Sequence, residues 1–204
     1  MIYDLHTYNL RVGGVARFEE RFGEMLAQRS KFSPLAGSWH TEIGPLNQVV
    51  QVWPYKDQAE RDRVRAAVAG ELLWPAPVQE FILTFDSDVV HPAPFMRPMR
   101  PGAPGPLYEM RTYTYLPGAI PEILARWGEV IGEREKLSPL LACWHTEGGN
   151  PDRFIHVWPY PDLAARSRIR QEALKSGQWP PKAKNYPARQ ENKVLLPASF
   201  SPLK

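Results

Sequence analysis

The sequence predicts an α+β protein made of two tandem copies of one βαββαβ unit. Three observations predict this class. The second half of the chain repeats the first after a shift of 105 residues, both halves carry the same succession of alternating and helical patterns, and a segment rich in proline and glycine separates them. With 204 residues, 43% of them hydrophobic and 23% charged, the chain can bury the cores of two small domains.

The clearest sign of the repeat is the tetrapeptide WHTE, which occupies Trp39–Glu42 and again Trp144–Glu147. Under the same shift, YDLHTY aligns with YEMRTY, VWPY with VWPY and VVHPAPF with VLLPASF, without a gap. Between Ser33–Tyr55 and Ser138–Tyr160, 12 of 23 positions are identical. The period is longer than the roughly 20–50 residues of a solenoid unit, so the pattern indicates two duplicated domains.

The predicted domain boundaries follow from this alignment. Residues 1–95 form the first repeat, and residues 107–204 form the second. The segment between them, 96–106, reads MRPMRPGAPGP. It is too rich in proline and glycine for regular structure, so we expect a semi-rigid linker.

Each repeat begins with a strand and a helix. Ile2–Leu10 alternates in polarity, which is typical of a strand, and Gly13-Gly14 ends it. Apolar residues then recur at helical spacing, and because the second half keeps the same stripe, both halves predict an amphipathic helix. The two stripes are Val15, Phe18, Phe22, Met25 and Leu26 in the first repeat and Ile120, Ile123, Trp127, Val130 and Ile131 in the second.

A hairpin, a second helix and a last strand complete each repeat. Two β-like runs flank Gly44-Pro45, Asp57 and Asp162 are predicted N-caps, and the last strands lie near Asp88–His91 and Lys193–Leu196. This order is the ferredoxin-like one. It leaves one face of the sheet bare, so we expect the two repeats to face each other as an intramolecular, pseudo-dimeric α+β barrel.

Composition narrows the classes of function. A net charge of +3 is too small to indicate a nucleic-acid partner, and no apolar run is long enough to cross a membrane. The N-terminus has no pattern of a signal peptide. The single cysteine, Cys143, excludes an internal disulfide and fits a reducing compartment, so a cytoplasmic protein is predicted. No motif for a cofactor is present, and the cofactor stays unknown.

Several segments resemble the NIPSNAP family: YEMRTYTYLPG, the WHTE motif, the VWPY strand end and QENKVLLPASF. The resemblance covers nearly the whole chain, although FDSDVVHPAPF replaces the QENK-like segment in the first half. It implies the dimeric α+β barrel fold, which agrees with the fold argued above. It also implies a homo-oligomer as one outcome. No settled reaction comes with the family, while the wider superfamily includes monooxygenases, isomerases and haem enzymes that use the space between the sheets as a pocket.

Alternation along the strands predicts which side chains line such a pocket. Asp4, His6 and Tyr8 share one face of the first strand, and we expect that face to line the inner cavity while Tyr3, Leu5 and Thr7 lie under the helices. On the third strand, Trp53 and Gln51 are predicted to point inward. Alternatively, these polar groups satisfy one another and need no ligand. The candidate ligand-binding residues are Arg111, Glu109, Trp158, His6, Tyr8, His40, Glu42 and Trp53.

The WHTE motif allows three interpretations. His40 and Glu42 lie two residues apart and share a strand face, as do His145 and Glu147. They could form an acid–base pair, or contribute to a metal site, or bond to neighbouring elements while the tryptophan packs in the core. The sequence leaves these three readings open, and no metal ligand is assigned.

The two halves are not equivalent at the candidate site. His6 becomes Arg111 in the second half, and Gln51 becomes His156. Only the second half offers an arginine, two histidines, a tyrosine and a glutamate together, so the site is predicted there. The candidate catalytic residues are His145, Glu147, Tyr113 and His156.

Three further features are interpreted as structural. The second helices carry arginines at i, i+4 spacing, which is typical of a solvated helix face. Trp74-Pro75 and Trp179-Pro180 are predicted to plug the end of each domain, and Cys143 is expected to be a buried thiol. The arginine pairs are Arg61 with Arg65 and Arg166 with Arg170.

Two functions therefore compete. In the first, the protein binds or transforms a small aromatic or carboxylated molecule. In the second, it is a noncatalytic module for protein interaction and oligomerisation with a fully packed barrel. The first predicts a cavity, and the second predicts an exposed apolar patch or an open strand edge.

Overall fold

A computed structural model describes residues 1–71, 78–147, 152–184 and 186–204. Each half shows the predicted βαββαβ order, so two tandem ferredoxin-like repeats of the α+β class are confirmed. The first repeat contains β1 (Ile2–Leu10), α1 (Val15–Arg29), β2 (Gly37–Ile43), β3 (Gln48–Tyr55), α2 (Gln58–Gly70) and β4 (Ile82–Pro92). The second contains β5 (Leu107–Tyr115), α3 (Ile120–Glu135), β6 (Ala142–His145), β7 (Asp152–Tyr160), α4 (Leu163–Lys175) and β8 (Arg189–Pro197).

The chain divides into two compact units, which differ from the two repeats at their ends. Unit 1 consists of Met1–Val90, Arg100–Gly102 and Leu196–Lys204. Unit 2 consists of His91–Met99 and Ala103–Leu195. The last residues of each repeat thus belong to the unit that the other repeat builds.

Both units have the same antiparallel strand pairing. In unit 1, β1 pairs with β3 and β4, and β3 pairs with β2. In unit 2, β5 pairs with β7 and β8, and β7 pairs with β6. The exchanged ends extend both patterns, since Ala198 donates its N–H to the carbonyl of Ser38 at 2.9 Å and Ala93 donates to Cys143 at 2.8 Å.

The exchanged segments also complete the cores. In unit 1, the ring of Phe200 lies 5.5 Å from that of Phe22 on α1. Phe95 packs against the apolar cluster around Trp127 on α3 of unit 2. Because the two phenylalanines occupy equivalent positions, they account for the repetition of VVHPAPF as VLLPASF.

The helices form as the sequence predicts. α1 buries Phe18, Phe22 and Met25 against its sheet, as the apolar stripe requires. Asp57 and Asp162 are the N-caps of α2 and α4, each accepting a backbone N–H three residues on, at 2.9 and 2.6 Å. In the part of the chain described, none of the helices combines the length and hydropathy that a membrane span requires.

The predicted face assignment of β1 is wrong. The Tyr8 ring lies 5.1 Å from Phe18 of α1, and Asp4 accepts a hydrogen bond at 2.8 Å from Arg61 of α2. The face that carries Asp4, His6 and Tyr8 therefore lies under the helices of its own unit. The pattern misleads because both faces of this strand mix polar and apolar residues, and arginines from α2 satisfy the buried carboxylate.

The predicted direction of the side chains on β3 and β7 is also wrong, because these side chains too lie against the helices of their own unit. Trp53 packs against Phe22 of α1 with the rings 6.3 Å apart. In unit 2, the His156 ring lies 4.7 Å from that of Trp127 on α3. The residues predicted to line a cavity between two sheets instead lie between one sheet and its helices.

Candidate functional site

Each unit contains a cavity between its sheet and its helices. The cavity of unit 1 measures about 240 Å³ and that of unit 2 about 230 Å³. Their walls consist largely of residues 105 positions apart. The walls of unit 1 include His6, Tyr8, Phe22, Arg29, Trp53, Tyr55, Arg65 and Phe85, and those of unit 2 include Arg111, Tyr113, Trp127, Arg134, Trp158, Tyr160, Arg170 and Gln190.

A buried arginine anchors the cavity of unit 2. Arg134 is only 4% exposed. It donates to the hydroxyls of Ser138 at 2.9 Å and Tyr160 at 3.3 Å, and its guanidinium lies 4.2 Å from the centre of the Trp158 ring. Burial lowers the pKa of Arg134 against the opposing effect of Tyr160.

The equivalent arginine of unit 1 has the same surroundings. Arg29, 5% exposed, donates to Ser33 at 2.9 Å and to Tyr55 at 3.3 Å, and lies 4.0 Å from the centre of the Trp53 ring. Among the described residues, neither Arg29 nor Arg134 forms an ion pair with a carboxylate. Each is therefore a buried positive charge whose contacts within the described part of the chain are all with neutral groups, and such a charge favours an anionic ligand.

A buried carboxylate lies behind each arginine site. In unit 2, Glu109 is fully buried and accepts hydrogen bonds from Arg166 at 2.5 Å, Arg170 at 3.4 Å and Arg111 at 3.1 Å. Burial alone would raise the pKa of Glu109, but these arginines lower it below its ordinary value. Glu109 is thus an ionised structural group that fixes the arginines around the cavity.

Asp4 has the equivalent role in unit 1. It accepts hydrogen bonds from Arg61 at 2.8 Å, Arg65 at 3.4 Å and Ser87 at 2.7 Å. Burial raises its pKa, but the hydrogen bond and charge of His6, together with the bonds from Arg61 and Ser87, bring the pKa well below its ordinary range. The expectation that these helix arginines form a solvated face is therefore wrong for both units.

His156 presents a hydrogen-bond donor without a partner. The indole N–H of Trp158 donates to its Nδ1 at 2.7 Å, so the proton of the neutral ring is on Nε2. That nitrogen is buried and has no hydrogen-bond partner among the described residues. Burial and the neighbouring arginines hold the pKa of His156 well below its ordinary value, so the ring is neutral.

Arg111 and Tyr113 lie beside His156 on the neighbouring strand, β5, where Arg111 is paired directly with His156. The Nε of Arg111 donates to the Tyr113 hydroxyl at 2.9 Å, and the Tyr113 ring lies 5.1 Å from that of His156. Trp179 lies beside Trp127 and Trp158, with ring centres 4.7 and 6.0 Å apart. It closes part of the cavity, whereas Trp74-Pro75 lies outside the described residues.

The equivalent wall of unit 1 carries His6. Its Nδ1 is 2.8 Å from the Tyr8 hydroxyl, and its Nε2 is 3.2 Å from a carboxylate oxygen of Asp4. Burial lowers the pKa of His6 although Asp4 opposes this effect. The substitution of histidine for arginine therefore removes one positive charge from this wall.

The WHTE residues lie elsewhere. Trp39 and Trp144 are fully buried. His40 bonds to Glu19 of α1 at 2.9 Å, whereas Glu42 is exposed, so the imidazole of the first copy is not paired with the carboxylate of its own motif. The geometry of this copy agrees with the structural interpretation.

The second copy also separates its two polar residues. His145 contacts the carbonyl of Thr146 at 3.2 Å, and its ring stacks on His91 at 5.7 Å. Glu147 lies 3.1 Å from His91. His145 and Glu147 are not among the residues that line the cavity of unit 2, and within the described chain no three His, Cys, Asp or Glu side chains are grouped to hold a metal. Their catalytic role stays a prediction.

Sequence reasoning missed the buried arginines and their hydroxyl partners. Arg29 and Arg134 stand at equivalent positions, four residues before Ser33 and Ser138. An arginine that recurs at one place of both amphipathic helices was the available signal. Cys143 is buried as expected, and burial raises the pKa of its thiol well above the ordinary value, which leaves it unreactive.

Comparisons with known proteins agree with the duplication. The NIPSNAP family model matches residues 3–97 and 108–202. The human protein NipSnap homolog 3A is 27% identical over 218 residues, covering 100% of this chain and 86% of its own length. The Dictyostelium discoideum protein NipSnap homolog is 26% identical over 219 residues, covering 98% of this chain and 88% of its own length.

Solved structures extend the likeness to the fold of the whole chain. A Lactobacillus acidophilus protein has a TM-score of 0.64 at 10% identity, over 96% of this chain and 92% of its own. An anthrone oxidase-like protein has a TM-score of 0.62 at 8% identity, over 100% of this chain and 94% of its own. At these identities the likeness concerns the fold alone, and it confirms the predicted α+β barrel class.

Proposed function

This chain belongs to the NIPSNAP family, and from that premise we propose that it binds a small aromatic acid in the cavity of unit 2. The observation that carries the proposal is Arg134, a buried guanidinium that contacts two hydroxyls and an indole but no carboxylate of the described chain. A ligand carboxylate would supply the missing negative charge. Bidentate binding by a guanidinium is the favoured geometry for such a group.

The remaining walls suit an aromatic body. Trp127, Trp158 and Trp179 surround the cavity, and the neutral ring of His156 is also part of its lining. A volume of about 230 Å³ is below the roughly 300–1,000 Å³ of pockets for drug-sized molecules, which favours a single ring. The competing function, a fully packed interaction module, predicts no cavity, and the presence of one favours ligand binding.

Charge adds to the preference for an anion. Three guanidiniums (Arg111, Arg166 and Arg170) bond to the one carboxylate of Glu109, and Arg134 adds a fourth positive charge to the lining of the cavity. Three of these arginines line the cavity itself. A neutral or cationic ring would leave this excess positive charge without compensation.

The test is the binding of 4-fluorobenzoate, followed by isothermal titration calorimetry and fluorine NMR. Substitution of Arg134→Met should weaken binding in unit 2 at least tenfold, because it removes the charge while keeping the length of the side chain. Arg126→Met is the matched control, since Arg126 is an exposed residue of the same helix that pairs with the exposed Glu129. Arg111→Met repeats the test at a less buried position.

Retained folding of each variant is checked by circular dichroism and thermal unfolding. Unchanged affinity in both Arg134→Met and Arg111→Met would contradict the proposal. A loss in Arg126→Met equal to that in Arg134→Met would contradict it too, because it would point to nonspecific attraction. Assembly of more than one copy of the chain stays a prediction, which light scattering measures directly.

A further inference from the structure

The cavity of unit 1 keeps the anchor of unit 2 but has a different wall. Phe22, Trp53, Tyr8 and Phe85 contribute four aromatic rings to it. Phe85 stands where unit 2 has Gln190, so an apolar ring replaces an amide. The cavity of unit 1 is therefore the more apolar of the two.

One buried charged group of this cavity lacks the partner that its chemistry calls for. Arg29 is 5% exposed and contacts only hydroxyls and an indole face in the described chain. Its guanidinium lies 4.0 Å from the centre of the Trp53 ring, over the face of the indole.

Arg29 calls for an anionic group on the ligand. A buried guanidinium without a counter-ion costs folding free energy, and a carboxylate compensates the charge while it accepts the N–H groups. Water would accept the N–H groups but would leave the charge uncompensated.

The charge around this cavity is smaller than in unit 2. Arg29, Arg61 and Arg65, with the one carboxylate of Asp4, leave two excess positive charges, against three in unit 2, where Arg111 stands in the place of His6. The Nδ1 of His6 lies 2.8 Å from the Tyr8 hydroxyl, and its Nε2 lies 3.2 Å from the Asp4 carboxylate. Because Asp4 bonds to both Arg61 and Arg65, Arg29 is the guanidinium without a carboxylate among the described residues, and it offers a place for one ligand carboxylate.

We propose that the cavity of unit 1 is a second ligand site, specific for a single-ring aromatic monocarboxylate whose carboxylate binds Arg29. The ring of the ligand packs against Phe22 and Phe85. The volume of about 240 Å³ is enough for one ring, since an apolar cavity of about 150 Å³ accommodates benzene. This site does not require the one proposed in unit 2.

Fluorine NMR with 4-fluorobenzoate separates the two sites in the intact chain. The unsubstituted protein should give two bound resonances and a calorimetric stoichiometry of two. Arg29→Met should remove one resonance by weakening that site at least tenfold, and Arg134→Met should remove the other. Arg17→Met is the control, because Arg17 is exposed on α1 and pairs with Glu20.

A second variant tests the cavity without touching the buried charge. Ala69 lines this cavity from α2, so Ala69→Phe should fill the cavity and displace 4-fluorobenzoate while Arg29 stays in place. Ala67→Phe is matched to it, since Ala67 is an exposed residue of the same helix outside the lining. The Ala67→Phe variant should retain both resonances.

The outcomes separate this proposal from the function proposed for unit 2. A stoichiometry of one that only Arg134→Met abolishes would overturn the second site and leave the first. A stoichiometry of one that Arg29→Met and Ala69→Phe abolish would support the second site and overturn the first. Two resonances that persist in both Arg29→Met and Ala69→Phe would overturn the second site as placed here.

Discussion

The two cavities share an anchor that is almost identical and a wall that is not. Arg29 and Arg134 lie 2.9 Å from their serine hydroxyls, 3.3 Å from their tyrosine hydroxyls, and 4.0 and 4.2 Å from their indole ring centres. Side chains that differ between the two linings include those at positions 6 and 111 and at positions 85 and 190. The duplicated fold has thus kept one buried arginine with its hydroxyl and indole contacts and varied other side chains of the walls.

The two units differ in the position of a buried N–H donor that has no acceptor among the described residues. In unit 1 the indole N–H of Trp53 has no acceptor among the described residues. In unit 2, the Nδ1 of His156 accepts the indole N–H of Trp158, and the donor without an acceptor among the described residues is the Nε2–H of His156. Because unit 2 has His156 where unit 1 has Gln51, the donor without an acceptor lies on the far side of an imidazole ring rather than on the indole.

The largest effect is expected at the buried carboxylates. Asp4→Ala or Glu109→Ala would leave the arginines that these residues hold without a counter-ion. Each should lower the free energy of unfolding by about 3 kcal/mol. Urea denaturation measures this loss, and Glu20→Ala, an exposed carboxylate paired with Arg17, should change stability by less than about 0.5 kcal/mol. A change below about 1 kcal/mol in both buried variants would contradict the role assigned to the carboxylates.

A smaller difference is expected at the start of β2 and β6. A Cβ at Gly37 would lie 2.1 Å from the Trp39 ring, whereas the equivalent residue, Ala142, already carries one beside Trp144. Gly37→Ala should therefore cost about 2 kcal/mol through overpacking. The reverse change, Ala142→Gly, should cost less, about 1 kcal/mol. Thermal unfolding of the two variants checks the order, and equal losses would show that Trp39 moves aside freely.

Exchanging the residues at positions 6 and 111 should exchange the preference of the two cavities for a singly or a doubly charged ligand. Arg111→His should weaken binding of the dianion 4-fluorophthalate in unit 2 about tenfold, which corresponds to about 1.4 kcal/mol, and should affect 4-fluorobenzoate less. His6→Arg should strengthen binding of the dianion in unit 1. The resonances that Arg29→Met and Arg134→Met remove identify each site in the NMR titration. Equal changes for both probes would mean that this position does not select charge.

The smallest effect is expected at the histidines of the WHTE motif. The hydrogen bond with Glu19 raises the pKa of His40 against the effect of burial, whereas the equivalent of Glu19 in unit 2 is Leu124. A raised folded-state pKa stabilises the protein below the ordinary histidine pKa of about 6.5, and this contribution is lost as the pH rises through the folded pKa.

Glu19→Gln should therefore lower the pKa of His40 and reduce stability by about 0.5 kcal/mol at pH 5.5, with little change at pH 8. NMR titration of His40 in the unsubstituted protein and in the Glu19→Gln variant measures this pKa directly. A stability loss that is equal at both pH values would assign a purely structural role to Glu19.

The repeat made the fold predictable. Because two diverged copies kept the same strand, helix and cap positions, chance patterns could be discarded, and Asp57 and Asp162 were identified as caps from their equivalent positions alone. The burial of Trp39 and Trp144 agrees with the structural interpretation of the WHTE motif, one of the three that the sequence left open.

The orientation of the strands was not predictable in the same way. Asp4 is charged and yet fully buried under the helices, because Arg61 of α2 donates a hydrogen bond to its carboxylate at 2.8 Å. Alternation in β1 gives the period but not the direction, and only tertiary partners decide which face is inside. The buried arginines escaped notice for a related reason, because a charged residue in a helix is normally exposed.

Because residues 91–99 belong to unit 2 and residues 196–204 belong to unit 1, neither repeat is expected to fold as an independent domain. A fragment that stops at Met99 would present an unpaired β2 edge at Ser38 and a bared Phe22, with the nine residues it needs left behind on the other piece. Anyone wishing to study one cavity alone would have to supply a peptide of Leu196–Lys204 in trans or splice it onto the fragment.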